Sequence, residues 1–376
     1  MRDVVSARAR AIEISPQTSL ATTDVINLAS GTPDFEAPAF ILDAMVDSLR
    51  QRKLQYTAWS GMPALRHAIA GKLARENGLG VDPDTEVLVT AGAQEALMVA
   101  LMTLLDPGDE VIITDPHYGV YTRAVTMAGG TMVRVPTTRA SLFVPEPEAI
   151  EAAVTEKTKA VIVVSPSNPT GAVFPREVLE AIVRIARDRD LVVISDEIYE
   201  HYVFDDAVHT SMATLPGARE RTVTINSLSK GYALTGVRLG YVVAPEPLVR
   251  AMLPFHHGMT ICAPITAQYG AVAALEADRA WFAPILVEYD RRRREWMRAL
   301  DEVGVPYARP RGAYYVAVDV RDCGLDLPTF VQRARDEAGL LLGAAGAGCL
   351  RGSLMQASPR LEEGLERLQT FVKSLR

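Results

Sequence analysis

Apolar residues gather in five short runs through the middle of the chain: "EVLVT" (86–90), "EVIIT" (110–114), "AVIVVS" (160–165), "LVVIS" (191–195) and "TVTIN" (222–226). Val and Ile dominate these runs and polar residues do not alternate with them, which predicts strands buried on both faces. The segments between carry helical spacing instead, as in "QEALMVALMTLL" (94–105) and "PREVLEAIVRIARDRD" (175–190). Strand and helix in alternation predict an α/β fold whose largely parallel sheet is wrapped by helices. Ligands of such sheets bind at the carboxyl ends of the strands.

Beyond residue 263 the pattern changes. The stretch 263–300 keeps helical spacing but contains Pro284, which predicts either two helices or one bent at that residue. Within it, "YDRRRREWMRAL" (289–300) reads as the solvated face of a long helix. A smaller C-terminal unit comes next, with strands near "GAYYVAVDV" (312–320) and a closing amphipathic helix in "PRLEEGLERLQTFVKSLR" (359–376). Internal repeats and low-complexity tracts are absent.

Composition narrows the function. At 376 residues the chain exceeds the roughly 250 to 300 residues of a single core, so two domains, or one large domain with a lobe, are expected. A net charge of −7 argues against a nucleic-acid partner, which normally requires a basic surface. Three cysteines, an odd count without close spacing, argue for a reducing compartment and against a metal site. The first residues lack the apolar run of a signal peptide, and no stretch approaches the roughly 18 apolar residues of a membrane span. A cytoplasmic protein is the expectation.

The residues just past each strand carry the chemistry. After 86–90 comes "AGAQEAL", a glycine turn and a helix start whose first N–H groups belong to Ala93 and Gln94. Such a start suits a phosphate, although many strand-to-helix turns share it. After 110–114, "DPHYGVY" brings Tyr118 and Tyr121 to the same edge, where an aromatic ring can stack on a flat ligand or simply pack in a loop. After 160–165, "PSNPTG" places Asn168 before Pro169, a turn and a candidate cis peptide. Asp196 emerges after 191–195, with Tyr199 three residues on, and a carboxylate leaving a buried strand needs a partner or a function. The last strand leads into "SLSKGYALTGVRLGY", with Lys230 and Arg238. Together these residues describe a site for a phosphorylated, flat, nitrogen-containing aldehyde: a partly desolvated lysine can form a Schiff base, a carboxylate can keep a pyridine nitrogen protonated, and arginine can grip phosphate.

"NPTG" (168–171), "SDEIYE" (195–200) and "SLSKGYALTGVRLGY" (227–241), in that order and spacing, resemble the class I and II aminotransferases. The resemblance extends from "SGTPDFEAP" (30–38) and "QYTAWSGMPALRHAIA" (55–70) to the C-terminal helix. It implies a fold-type I pyridoxal-phosphate enzyme: a large domain with a mostly parallel sheet wrapped by helices, plus a smaller α+β domain. The implied boundaries are an N-terminal segment of the small domain (1–40), a large cofactor-binding domain (41–270), an interdomain helical segment (271–302) and a C-terminal small domain (303–376).

Position by position, the resemblance implies that Lys230 forms the Schiff base with pyridoxal 5′-phosphate and shuttles the substrate proton, while Asp196 pairs the pyridine nitrogen. Asn168 and Tyr199 match the partners of the phenolic oxygen, and Tyr118 the ring-stacking residue. Ala93, Gln94, Ser227 and Arg238 match phosphate ligands. Tyr56 matches a tyrosine that reaches the phosphate from the partner subunit, which implies a homodimer with a shared site. Gly31 lies in the segment that folds over the substrate, and Arg351, in "GCLRGS", matches the arginine for the substrate α-carboxylate. Arg360 is a rival whose spacing to the final helix is wrong, and His256 and His257 read as structural or solvent-facing.

Two features depart from the family pattern. The segment "GLLLGAAGAGCLRGS" (339–353) is shorter than its counterparts, and Gly352 stands where an apolar residue is common. The expected activity is transamination between an amino acid and a 2-oxo acid. The departures motivate the alternative, a lyase, γ-replacement, cyclisation or carbon–carbon bond-forming enzyme acting on an amino acid such as S-adenosylmethionine. A regulator that has borrowed the fold is disfavoured, since Lys230 and Asp196 are intact.

Overall fold

The structure is a computed structural model and describes residues 5–12, 24–346 and 348–376. Its centre is a seven-stranded sheet of β2 (Val87–Thr90), β3 (Glu110–Asp115), β4 (Thr131–Pro136), β5 (Thr158–Val164), β6 (Val192–Asp196), β7 (Thr222–Ser227) and β8 (Gly240–Val243), numbered after a short β1 (Ile26–Asn27). The spatial order is β2-β8-β7-β6-β5-β3-β4. β8 pairs antiparallel with both β2 and β7, and every other pairing is parallel. The five apolar runs are thus five of the seven strands. β4 and β8 escaped the sequence reading because "TMVRVP" is largely exposed and "GYVV" is short and overlaps the end of the lysine motif.

Helices cover both faces. On one, Ala93–Leu104 and Glu246–Thr260 pack Leu97, Leu101 and Met252 against Val111, Ile113 and Ile225. On the other, helix Arg176–Asp188 presents Leu179, Ile182, Val183 and Ala186, an i, i+3, i+4, i+7 stripe, to Val161, Val163 and Val193. Each buried strand contributes to both layers by alternation, as expected for a sheet without a wet face.

Four further strands, β9 (Tyr307–Ala308), β10 (Tyr315–Asp319), β12 (Gly343–Gly346) and β13 (Cys349–Ser353), form an antiparallel sheet in the order β12-β13-β10-β9. β11 (Leu340–Leu341) pairs in parallel with β1, which ties the N-terminal segment to the C-terminal unit. The region 263–300 is two helices, Ile265–Glu276 and Ala283–Glu302, with Pro284 in the first turn of the second, where its missing N–H costs no helical bond. The closing helix is Arg360–Ser374.

The arginine run corrects the sequence reading. The buried side of helix Ala283–Glu302 is Tyr289, Arg292, Arg293, Trp296, Ala299 and Leu300, so helical period places Arg292 and Arg293 inward and leaves Arg291 and Arg294 outward. Arg293 is fully buried and pairs with Asp205 at 2.7 Å and Asp290 at 2.6 Å. Arg292 pairs with Asp34 and with Glu288, each at 2.8 Å. Arginine serves such positions because its charge can be met by several planar hydrogen bonds at once. Among the described residues no helix is long and apolar enough to cross a membrane.

Candidate active site

The carboxyl ends of the strands and the facing edge of the small sheet enclose a cavity of about 440 Å³. Every site residue expected from the family resemblance lines it except Tyr56, which lies on the surface of this chain and is 76% exposed.

One end is built for an oxyanion. β2 turns through Gly92, whose φ of 90° lies in the left-handed region, into helix Ala93–Leu104. A Cβ at Gly92 would sit 2.4 Å from Arg238 Nη2, so only glycine lets the guanidinium close over the helix N-terminus. The first N–H groups there have no intrahelical acceptor and point outward. Ser227 and Ser229 add hydroxyls: Ser227 Oγ donates to Leu239 O at 2.8 Å and accepts from Ser229 N at 3.0 Å, capping the short helix Leu228–Gly231. Behind the site, His256 is fully buried with Nδ1 2.8 Å from Glu95 Oε1, while Glu95 also accepts from Ala91 N. His257 packs its ring on Trp59 at 4.5 Å, and neither histidine lines the cavity.

The middle of the cavity holds the titratable groups. Asp196 ends β6; its Oδ2 accepts from Tyr121 OH at 2.7 Å and its Oδ1 from Ile198 N at 3.2 Å. Burial pushes the carboxyl up to about 6, and the two hydrogen bonds oppose that rise. Tyr121 is therefore a buried donor to Asp196 rather than a stacking plate; the half-exposed Tyr118 supplies the ring at the cavity wall. The peptide Asn168–Pro169 is cis, as the turn suggested. Asn168 Nδ2 donates to Tyr199 OH at 3.3 Å, and Tyr199 OH lies 3.3 Å from Tyr315 OH.

Lys230 Nζ donates to Gly31 O at 2.5 Å. Burial, reinforced by the Arg351 and Arg238 guanidiniums, pushes its ammonium down to about 8. The neutral amine that a nucleophile requires is thus a minor but accessible fraction near neutrality, far larger than at an ordinary lysine.

Arg351 approaches from β13. Its Nη2 donates to Ala29 O at 3.0 Å, its Nη1 to Asn168 Oδ1 at 3.3 Å, and its guanidinium lies 4.7 Å from the Tyr315 ring centroid. Its Nε is buried without a hydrogen-bond partner among the described residues, so the fork retains donor capacity for a carboxylate. Arg360 instead pairs with Glu363 at 3.1 Å in the first turn of the closing helix and lies outside the cavity wall.

Gly352 departs from the family pattern for a reason internal to the fold. Strand alternation turns Arg351 and Ser353 to one face and Gly352 to the other. There a Cβ would lie 2.6 to 2.9 Å from three Trp296 ring atoms, and Trp296 Nε1 donates to Ser353 O at 3.1 Å. The indole fills the volume that a larger residue at 352 would take, and the cavity gains nothing from the glycine.

Tyr121, Ser229 and Tyr315 are the site residues that sequence reasoning did not assign. Tyr118-x-x-Tyr121 spacing was a usable signal for the first, because the turn that carries Tyr118 leads directly into the helix Val120–Ala128 that carries Tyr121. Tyr314 closes a turn and Tyr315 opens β10, so their facing cannot be read from the sequence; the fold sends the Tyr314 hydroxyl to Gly31 O at 2.9 Å and the Tyr315 hydroxyl to Tyr199.

The set fits a flat, phosphorylated carbonyl compound with a ring nitrogen: an oxyanion cradle, an aromatic wall, a buried carboxylate, an amide–phenol pair and a lysine whose ammonium is pushed down. Comparison with known proteins gives the same direction. The sequence profile described as "Aminotransferase class I and II" matches residues 23–368. The chain is 40% identical to an aspartate aminotransferase of Pyrococcus abyssi, over 93% of this chain and 92% of that one. It is 37% identical to aromatic-amino-acid aminotransferase 2 of Thermococcus litoralis, with the same coverage of 93% and 92%. Among solved structures, the aspartate aminotransferase of Thermus thermophilus with maleate superposes with a TM-score of 0.93 at 36% identity, covering 99% of this chain and 100% of that one.

Proposed function

The chain belongs to the class I and II aminotransferases and has their fold-type I architecture, and from that premise we propose how its cavity performs amino transfer with pyridoxal 5′-phosphate. The convergence of Lys230, Asp196, Arg238 and Arg351 on one cavity carries the reading. The backbone N–H groups of Ala93 and Gln94, the guanidinium of Arg238 and the hydroxyl of Ser227, its O–H turned from Leu239 O, would hold the phosphate. Tyr118 would cover the ring, Asp196 would accept from the ring nitrogen, Asn168 and Tyr199 would address the phenolic oxygen, and Lys230 would be the point of covalent attachment. Bound there, the coenzyme supplies an electron sink for the substrate Cα–H bond.

The protein's own groups do the rest. Arg351 grips the α-carboxylate of an amino acid and so fixes which Cα substituent faces Lys230. Once the substrate's amino group has displaced it from the coenzyme, the free Lys230 amine would take the proton from Cα onto Nζ, and an amine held down to about 8 suits a base working near neutral pH. Tyr121 and the Ile198 N–H hold both oxygens of Asp196 and so would keep its carboxylate in place for the ring nitrogen. Gly31, whose carbonyl receives the Lys230 ammonium, belongs to the segment that borders the substrate. With Gly352 accounted for by Trp296, the eliminating or replacing alternative loses one of its two motivations.

A homodimer with a shared site is part of the proposal. Helix Ala39–Arg50 exposes Leu42, Val46 and Leu49, an i, i+4, i+7 stripe, and the segment after it exposes Leu54, Tyr56 and Trp59. Apolar surface of that kind supports an interface with a second copy, through which Tyr56 reaches the partner's phosphate. The three unpaired cysteines support a cytoplasmic setting, and the proposed division of the chain is into segments 1–40, 41–270, 271–302 and 303–376.

The test is an absorbance titration of the coenzyme-loaded protein with single amino acids and no 2-oxo acid. Conversion of the coenzyme to its amino form names the donor. Turnover that leaves the coenzyme in its aldehyde form for every amino acid would reject amino transfer.

A further inference from the structure

Beneath the cavity floor lies a group of buried polar side chains that the mechanism does not use. Lys72, at the end of helix Pro63–Lys72, is 1% exposed, Glu200 is 7% and Asn226 is 3%. Glu200 Oε1 accepts from Lys72 Nζ and, at 2.6 Å, from Asn226 Nδ2. Glu200 Oε2 accepts from Asn77 Nδ2 at 2.7 Å, and Asn77 Oδ1 accepts from Lys72 Nζ at 2.8 Å. Asn226 Oδ1 in turn accepts from Ser227 N at 2.7 Å. Glu197, Glu200 and His209 have metal-like spacing, but Lys72 and the two amides already occupy both Glu200 oxygens.

The order of donors and acceptors has one consistent direction. A lysine ammonium only donates and a carboxylate only accepts, whereas an asparagine amide can turn either way. Glu200 faces Asn226 with an acceptor, so the amide must present its NH₂ there and its oxygen to Ser227. A turned amide would set NH₂ against the Ser227 N–H and leave a buried donor unmet. Burial alone would raise the Glu200 carboxyl; Lys72 and the nearby histidines outweigh it and keep the group ionised, hence acceptor-only.

Ser227 is where this matters. It is the last residue of β7, it caps helix Leu228–Gly231, and Lys230 lies three residues on. We propose that Lys72, Glu200 and Asn226 are positioning residues: the ion pair locks the Asn226 amide, and the locked amide fixes the Ser227 turn that presents the phosphate-binding hydroxyls to the coenzyme. The proposal rests on the reading that the cavity binds pyridoxal 5′-phosphate.

The experiment compares dissociation constants for pyridoxal 5′-phosphate and for pyridoxal, which lacks the phosphate, alongside the thermal midpoint of the coenzyme-free protein. Glu200→Ala and Asn226→Ala should each weaken pyridoxal 5′-phosphate binding by about tenfold or more, the loss of roughly one hydrogen bond's alignment, and pyridoxal binding far less. Glu200→Gln, which keeps an acceptor for Asn226, should restore most of the affinity. The double variant Glu200→Ala/Asn226→Ala should be no worse than either single one, because both break the same relay. Should Glu200→Ala fail to fold with Lys72 unpaired, Lys72→Met/Glu200→Leu removes both charges and must show the same phosphate-selective loss. Affinity within twofold of wild type, equal losses for both ligands, or additive effects would overturn the relay while leaving the coenzyme reading intact. Wild-type protein that takes up no pyridoxal 5′-phosphate would overturn both.

Discussion

Truncating Arg351 to alanine asks whether the α-carboxylate of the substrate is held where the fold places a fork of donors. The guanidinium spends two bonds on the protein, to Ala29 O and Asn168 Oδ1, and rests against the Tyr315 ring. A substrate carboxylate gripped by the remaining donors makes two charge-assisted bonds, each worth about 1.5 to 3 kcal/mol. Their loss amounts to about 3 to 6 kcal/mol, or roughly 10² to 10⁴ in kcat/KM at 1.4 kcal/mol per tenfold. Stability should fall by only about 1 to 2 kcal/mol, since the two bonds lost to protein atoms are partly solvated. The assay compares kcat/KM for an α-amino acid with that for the amine of the same side chain lacking the carboxylate. Wild type should discriminate by the factor above, Arg351→Ala should bring the ratio close to one, and Arg351→Lys should fall between because it keeps charge without the fork. Unchanged discrimination in a coenzyme-loaded Arg351→Ala protein would place the carboxylate elsewhere and refute the assignment.

The same geometry sets other outcomes. Lys230→Ala should abolish turnover while leaving coenzyme bound noncovalently, which gel filtration and absorbance can show; normal turnover would remove Lys230 from the mechanism. Because the Lys230 ammonium is held down to about 8 rather than up near its ordinary value, covalent uptake of pyridoxal 5′-phosphate by coenzyme-free protein should accelerate as pH rises and level off above about 8, as stopped-flow absorbance would report. Tyr121→Phe removes a donor from the Asp196 carboxylate and should raise its midpoint from about 6 by roughly one to two units, shifting the acid limb of coenzyme binding to higher pH by that amount. Arg293→Met removes a fully buried cation, but Asp205 keeps Arg309 and Asp290 keeps Arg294, so it should cost about 1 to 3 kcal/mol in urea denaturation, with little change in catalysis if the loaded fraction is held equal. Gly352→Ala should cost about 1 to 3 kcal/mol through its clash with Trp296 and leave substrate preference unchanged.

The buried strands and the residues that leave them were legible in the sequence because both are local. A run such as "AVIVVS" admits little besides a two-sided buried strand, and the residues next after a parallel strand must emerge at its carboxyl end, so Asn168, Asp196, Ser227 and Lys230 could be placed on one edge before any contact was known. Arg238 was readable as a candidate at this edge, but not in placement: that it closes over the helix start depends on Gly92 and on β8 running against its neighbours. The arginine run misled because charge patterning treats four adjacent arginines alike, whereas the helix turns two of them into the core to meet Asp34, Asp205 and Asp290 from distant segments and from its own preceding turn. Gly352 misled in the same way, since its neighbour Trp296 lies on another element. Sequence alone determined the strand and helix types, the order of the chemical groups and the family they resemble, all properties carried by short spacings. Tertiary structure decided which polar side chains face one another: Tyr121 on Asp196, Asn226 between Glu200 and Ser227, and Arg351 against Asn168. Most of those pairings join residues tens to hundreds of positions apart, and only packing the sheets and helices brings their donors and acceptors within bonding distance.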